Sequence, residues 1–416
     1  MDELLITINA LRAVAHTSWR HRVRRVAVIL TGSRSGSSLF KDCLAQHPGF
    51  AALDGELEPF LALTGNGFGH HPHCRSDAIG ELANPEALAD NIFDGLTVAS
   101  DGPVPARQLQ ARWRKRLLLQ FPAVFSAPRE WAALEASLAR AFDAPDARAR
   151  DAPPRATQRM VLQSVFGQAR WRLNYYDGGF GLEAGRPFDE AAKIEEPPFV
   201  LPSLSRRSYT EADVPDKILL FKSPADAFRP GLHRQLFPAA TVHYIHLTRG
   251  YAQSVNGLID GWLSPTGFFS HDMRRAGVPL AIGGYADRCV FGRRWWKFDL
   301  PPNWRDFVDA PLGEVCLNQW LSCHRHILAS GTRPQRVAFE DFLADPASTL
   351  AAVWRRLDLP PVAAPAAALP VTMATAAPSP GRWRRRGALL QPMVARAAVR
   401  ETMTELGYGL RPEAWQ

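Results

Sequence analysis

Apolar side chains at Leu4, Leu5, Ile8, Leu11 and Val14 recur at intervals of three and four, which predicts one buried face of an N-terminal helix within residues 1–21. Packing of that face on the main domain is expected, with a membrane-surface helix as the alternative. Val26-Ala27-Val28-Ile29-Leu30 is an unbroken apolar run, the pattern of a strand covered on both faces. Thr31-Gly32-Ser33-Arg34-Ser35-Gly36-Ser37-Ser38 interrupts it with small residues. Leu39, Phe40, Cys43 and Leu44 then return at helical spacing until His47-Pro48-Gly49 ends the run. Strand, small-residue loop and helix in that order predict a βα unit able to hold a phosphate-like anion, with Phe50 to Leu53 as the next strand.

The same rhythm resumes at residue 217. Lys217 to Lys222 reads as a strand ended by Ser223-Pro224, and Val242 to Leu247 reads as another, ended by Thr248-Arg249-Gly250. A helix carrying Tyr251, Ser254, Val255 and Leu258 follows. Later come a long helix through Val315, Leu317, Trp320, Leu321 and His324, a short strand at Val337-Ala338-Phe339, and a helix with Leu350, Val353, Trp354 and Leu357. Strands alternating with helices predict an α/β fold, a central parallel sheet flanked by helices in three layers, as one domain over residues 1–416. Residues 61–216 are expected as a large, mostly helical insertion, with Trp131, Leu134, Leu138 and Phe142 on one helix face. The stretch from Asp143 to Ala156 reads as an exposed linker. Within the insertion, Arg112-Trp113-Arg114-Lys115-Arg116 reads as a solvated helix face, with a grip on an anionic substrate as the alternative. Pro360 to Pro380 is expected as a loop, and residues 360–416 as a C-terminal segment that closes over a ligand.

Composition narrows the function classes. With 46% hydrophobic side chains in 416 residues the chain is globular, not disordered. No apolar run reaches the roughly 18 residues that would span a bilayer. Met1-Asp2-Glu3-Leu4-Leu5 has acids where a signal peptide needs positive charge, so a cytoplasmic protein is expected. Five scattered cysteines predict free thiols. The excess of 49 Lys+Arg over 41 Asp+Glu suits an anionic partner without choosing among a small ligand, nucleic acid and a membrane surface.

The loop narrows them further. Its small residues expose backbone N–H groups, and the helix starting near Ser37 points its positive end at them, a fit to phosphate or sulfate. Gly32 and Gly36 are four apart and Ser37 stands where a nucleoside-triphosphatase loop has lysine, which disfavours ATP or GTP hydrolysis.

Arg34-Ser35-Gly36-Ser37-Ser38-Leu39, closed by His47-Pro48, resembles the 5′-phosphosulfate loop of the sulfotransferases that use 3′-phosphoadenosine 5′-phosphosulfate (PAPS), including bacterial members. Phe221-Lys222-Ser223-Pro224, Leu236-Phe237-Pro238, Tyr244 to Arg249, Phe339-Glu340-Asp341-Phe342 with Asp345-Pro346, and Gly381-Arg382-Trp383-Arg384 resemble later phrases of that family in order and spacing. The resemblance covers roughly residues 24–60 and 217–390 and implies the P-loop-like sulfotransferase fold. It also implies PAPS as cofactor, with the desulfated bisphosphate as product. Ser33, Arg34, Ser35, Gly36, Ser37, Ser38 and Leu39 would hold the 5′ side, and Arg249, Ser254, Arg382 and Arg384 the 3′-phosphate. The family's serine falls where this chain has Gly257, so Ser254 or Asn256 is left as the partner of Arg249. Arg34 would stabilise the transferred group without a metal. Glu56, in Asp54-Gly55-Glu56-Leu57-Glu58, would be the general base, with Glu58 as runner-up.

Other features stay open between roles. Lys222 faces the donor or ends its strand in solvent. His70-His71-Pro72-His73-Cys74 is too tightly spaced for a tetrahedral zinc and reads as a polar loop, with a histidine base as the alternative. Cys316 and Cys323 read as core filling. Trp295 and Trp296, beside Arg293 and Arg294, line an acceptor pocket or fill core. The acceptor, a small molecule, peptide or glycan, would be read by residues 61–216 and 263–310; nucleic acid is not expected, and the oligomeric state is open. The competing classes are a P-loop-like nucleotide kinase and a non-catalytic polyanion- or nucleic-acid-binding protein.

Overall fold

In this computed structural model the described residues are 2–99, 104–143, 154–167, 169–176, 188–196, 206–362, 369–370, 375 and 378–415. The strands among them are β1 (Arg25–Thr31), β2 (Phe50–Leu53), β3 (Leu96–Ala99), β4 (Arg206–Ser208), β5 (Ile218–Lys222), β6 (Thr241–Thr248), β7 (Phe269–Asp272), β8 (Trp295–Lys297) and β9 (Gln335–Ala338). Seven of these form one sheet in the order β4-β3-β2-β5-β1-β6-β9, and β7 and β8 pair separately. The apolar run of β1 takes the interior, where it pairs in parallel with β5, Val26 opposite Leu219, and with β6, Val26 opposite Val242. Side chains alternate across such a strand. Val26, Val28 and Leu30 enter one core with Leu219 and Phe221, while Ala27 and Ile29 enter the opposite core with Phe40, Leu220, Ile245 and Trp354. Both faces are covered, giving the expected three-layer α/β architecture.

The chain leaves β1 for β2 on one side, then passes from β5 to β6 across it. Parallel strands that diverge in this way open a crevice at their carboxyl ends, where such sheets bind ligands. The small-residue loop sits there.

The sheet is parallel from β2 through β9, but β3 runs antiparallel to β2 and β4 antiparallel to β3. Both strands come from residues 61–216, so that region is not only a helical addition: it completes one edge of the sheet. Four residues of β3 follow directly on the helix Pro85–Gly95, and β4 is Arg206-Arg207-Ser208, too short and too polar to alternate. Its place is set by neighbours: Arg112 donates to the Arg206 carbonyl at 2.8 Å and Gln108 to the Ser208 hydroxyl at 2.7 Å.

The basic run 112–116 corrects both sequence readings. Trp113 is fully buried, Arg112 pairs with Asp54 at 2.7 Å and Arg116 with Glu195 at 2.6 Å, while Arg114 meets Glu135 and Lys115 meets Asp94. Arg112 ties the insertion to the end of β2 and the other three cations cross-link the insertion's own segments, so the run is neither a solvated face nor an anion grip. The helix Pro128–Asp143 buries Leu134, Leu138 and Phe142 as the spacing predicts. The N-terminal helix covers Asp2–Arg12, with Ile8 buried and Leu4, Leu5 and Leu11 packed on the core. It stops short of residue 21 because Ala13 turns left-handed, and only a single 3-10 turn, Trp19–His21, follows. Residues 144–153 of the expected linker, and 363–368, 371–374 and 376–377 of the Ala/Pro loop, lie outside the described residues. Among the described residues no helix is long and apolar enough to cross a membrane.

Candidate functional site

The loop after β1 is shaped by two left-handed residues. Arg34 has φ +66° and Gly36 φ +83°. For an L residue this conformation costs about 1–2 kcal/mol, so the surroundings must hold Arg34 in place. They do so from inside. Ser35 turns its buried hydroxyl onto the Gly32 carbonyl at 2.6 Å and meets Thr31 Oγ1, which donates to the Leu247 carbonyl at 2.9 Å. From outside, Arg249 Nη1 donates to the Arg34 carbonyl at 2.9 Å. The helix Ser37–Leu44 then begins, with Gly36 as its N-cap. Ser33, Arg34, Gly36, Ser37, Ser38 and Leu39 all border a cleft of about 1940 Å³. Ser35 does not border it.

Gly36 has a second reason to be glycine. A Cβ there would lie 2.2 Å from the Phe339 ring, on top of the positive φ. Gly36→Ala is therefore expected to displace Phe339 or open the loop, lowering stability by about 2–4 kcal/mol. A fall in the thermal midpoint by several degrees checks it.

Three guanidinium groups from distant parts of the chain converge on this loop. Arg34 comes from the loop, Arg249 from the end of β6, and Arg382 from the C-terminal segment. Burial brings Arg34 down to about 10, and repulsion from Arg249 and Arg382 adds to the fall against the pull of Asp260. Arg249 is lowered by burial, with Glu340 opposing and Arg382 adding. The Arg34 guanidinium lies 4.9 Å over the Phe268 ring and that of Arg249 5.2 Å over Phe339. Such mutual repulsion in a cleft is relieved by an anion. Arg382 is placed by an anchor: Asp260 accepts from Arg382 at 2.9 Å, pairs with Arg386 at 2.8 Å and also meets Arg385. Trp383 buries its ring 4.9 Å from that of Trp415. Arg384 is exposed and lies outside the cleft lining, so the structure does not bring it to the other three.

The 3′-side partners divide differently from the sequence expectation. Ser254 is buried, with its hydroxyl directed back at the Arg249 carbonyl at 3.4 Å, and does not border the cleft. Asn256 borders it but accepts from Arg386. Gly257 packs on Arg34, where a Cβ would come within 3.3 Å of the arginine's own. Gln253 does face the cleft, and both its amide atoms are buried without a partner among the described residues. The signal in the sequence is Gln253, Asn256 and Asp260, polar residues about one turn apart along the helix Tyr251–Trp262.

On the opposite wall the two candidate carboxylates separate. Glu58 opens the helix Glu58–Leu63, accepts from the Ser223 hydroxyl at 2.6 Å and pairs with buried Arg229, which also holds Asp226 at 2.9 Å. Among the described residues Glu56 pairs with Lys222 alone, from the end of β5, and its side chain is 39% exposed at the cleft. Desolvation in the cleft pushes the Glu56 carboxyl up and Glu58 adds to this, while Lys222 and Arg229 pull the other way. Lys222 is itself buried and borders the cleft, so it does not end its strand in bulk solvent.

Asp299 was not anticipated. It is 4% exposed, borders the cleft, and burial raises it to about 7 against the steadying Ser33 hydroxyl. The Trp pair splits: Trp295 borders the cleft, Trp296 is core. Cys316 and Cys323 are fully buried, as expected. His71 and His73 set their rings 5.5 Å apart at a tilt of 57° in a partly exposed loop, and of the three histidines only His70 borders the cleft. Among the described residues no group of three or more His, Cys, Asp or Glu could hold a metal ion.

No protein-family model matches the chain, and no curated protein matches it in sequence. Among solved structures it is similar to the "Sulfotransferase Domain from the Curacin Biosynthetic Pathway", at 13% identity over 94% of this chain and 99% of that one, with a TM-score of 0.39. It is also similar to a sulfotransferase from Alicyclobacillus acidocaldarius, at 11% identity over 92% and 96%, TM-score 0.33. A third is the "Sulfotransferase Domain from the Synechococcus PCC 7002 Olefin Synthase", at 14% identity over 95% and 91%, TM-score 0.30. Likeness at this level assigns no residue its role.

Proposed function

We propose that this chain is a sulfotransferase that moves a sulfuryl group from PAPS to a hydroxyl or amine acceptor. The observation that carries the reading is the convergence of Arg34, Arg249 and Arg382 on a loop that ends in a helix N-terminus. A nucleotide bearing charge at both its 5′ and 3′ positions answers that arrangement. The cleft exceeds the roughly 300–1,000 Å³ of a single small-ligand pocket, leaving space for an acceptor beside a nucleotide.

The donor supplies a sulfuryl group activated by its phosphate leaving group. Backbone N–H groups from Ser35 to Leu39, with the Ser37 and Ser38 hydroxyls, receive the 5′-phosphate. Arg249 and Arg382 receive the 3′-phosphate, and Gln253 is the polar partner that Ser254 cannot be. Arg34 bonds the moving group and the bridging oxygen, where negative charge grows as the sulfur–oxygen bond breaks and its electron pair stays with the phosphate. The acceptor oxygen or nitrogen bonds to sulfur in line, and its proton passes to Glu56. Lys222 holds Glu56 ionised enough to accept it. Since sulfuryl transfer moves less charge than phosphoryl transfer, cationic side chains suffice at the moving group.

Thermal unfolding with adenosine 3′,5′-bisphosphate, ATP and AMP tests the reading. At about a hundred times Kd a ligand adds about 2.7 kcal/mol, a rise of a few degrees. The bisphosphate alone is expected to produce it. An equal or greater response to ATP would favour a kinase, and strongly salt-dependent affinity for nucleic acid with no response to the bisphosphate would favour a polyanion-binding protein.

A further inference from the structure

The cleft has a second cationic group, away from the nucleotide loop, made where residues 66–70 and 188–196 meet the hairpin β7–β8. Arg275 lies across Gly69, whose φ of +76° and missing side chain make the space: a Cβ there would come within 2.7 Å of Arg275 Cδ. Arg275 Nη1 is 2.6 Å from His70 Nε2. A guanidinium can only donate, so Nε2 accepts and the His70 proton resides on Nδ1. That Nδ1 is buried with no partner among the described residues. Burial, Arg275 and Lys193 all oppose a second proton, bringing His70 down to about 3, so the ring is a fixed neutral donor.

Lys193 joins the cluster. Its ammonium donates to the Ser270 carbonyl at 3.2 Å and lies 5.3 Å over the Trp295 ring, which Arg294 covers at 4.5 Å. Arg294 and Arg274 share Asp272, and Glu196 accepts from the Phe269 backbone N–H at 2.6 Å. Glu196 feels the charges of both Lys193 and Glu56, and all three line the same cleft. Donors from His70, Lys193 and Arg275 thus border one part of the cleft.

We infer that Arg275, Lys193 and His70 recognise an anionic group, a carboxylate or a phosphate monoester, on the acceptor. This rests on the sulfotransferase reading and adds its acceptor class. The test is calorimetric titration of benzoate and of phenyl phosphate, with benzamide as the uncharged control, into the full chain with and without saturating adenosine 3′,5′-bisphosphate. At least one anion is expected to bind the bisphosphate-loaded protein at least tenfold better than benzamide, and the better of the two identifies the group. Arg275→Gln and Lys193→Met should each weaken the anion at least tenfold while leaving bisphosphate affinity within twofold. Absence of anion binding, equal binding of benzamide, or binding unchanged in the folded variants overturns the inference. If the anion binds and responds to the variants while the bisphosphate does not bind, the anion site stands and the sulfotransferase reading falls.

Discussion

Arg34→Ala is expected to lower turnover by about two to three orders of magnitude, the usual loss when one preorganised donor to a developing negative charge is removed. Affinity for adenosine 3′,5′-bisphosphate should fall much less, because that product lacks the moving group and keeps Arg249, Arg382 and the loop amides. Arg34→Lys should recover only part of the rate, since an ammonium replaces neither the planar fork nor its stacking 4.9 Å over Phe268. The backbone supplies a control. Arg34 is left-handed at φ +66°, so Arg34→Gly should be folded more stably than Arg34→Ala yet be equally slow. Single-turnover rates set against calorimetric affinities separate these effects. A bisphosphate affinity that falls as far as the rate would make Arg34 a general binding group and remove it from the transfer step.

Glu56→Gln should cost about two to four orders of magnitude in turnover, with bisphosphate affinity within about threefold, as for loss of a general base. The pH profile adds a signature. A base works ionised, and desolvation raises Glu56, so kcat/KM should climb through a midpoint above the ordinary carboxylate range. Lys222 opposes that rise. Lys222→Met should therefore move the midpoint further toward alkaline pH and leave a smaller ionised fraction at neutrality. Glu58→Gln should behave otherwise. Its partner Arg229 is buried and keeps Asp226, so the expected effect is a stability loss on the order of 1–3 kcal/mol, with the pH midpoint moved toward acid because Glu58 no longer raises Glu56. If Glu58→Gln abolished turnover in a fully folded protein while Glu56→Gln did not, the assignment of the two would reverse.

Local pattern was enough wherever one segment makes its own environment. The unbroken apolar run of β1 could be satisfied only inside a sheet covered on both faces, and the small residues after it permitted the turn into the helix Ser37–Leu44. Arg34, Arg249 and Glu56 were singled out by the family resemblance, and the apolar pattern supplied the strands β1, β6 and β2 that each of them follows. Strands β3 and β4 were not, since four and three residues carry too little alternation and their pairing is set by Ala52, Leu53 and one another. The run 112–116 misled for the same reason: its carboxylate partners Asp54, Glu135, Asp94 and Glu195 are remote in sequence.

The sequence alone thus determined the α/β class and the small-residue loop between β1 and its helix, because those depend on periodicity and on residue types that act locally. Tertiary structure alone decided that Asp260 steers Arg382, that Gln253 and not Ser254 faces the cleft, that Glu58 is tied to Arg229 while Glu56 pairs with Lys222, and that His70 is a neutral donor beside Arg275. Charges act through space at a few ångströms, and the separation of two residues along the chain says nothing about that distance until the backbone has closed it.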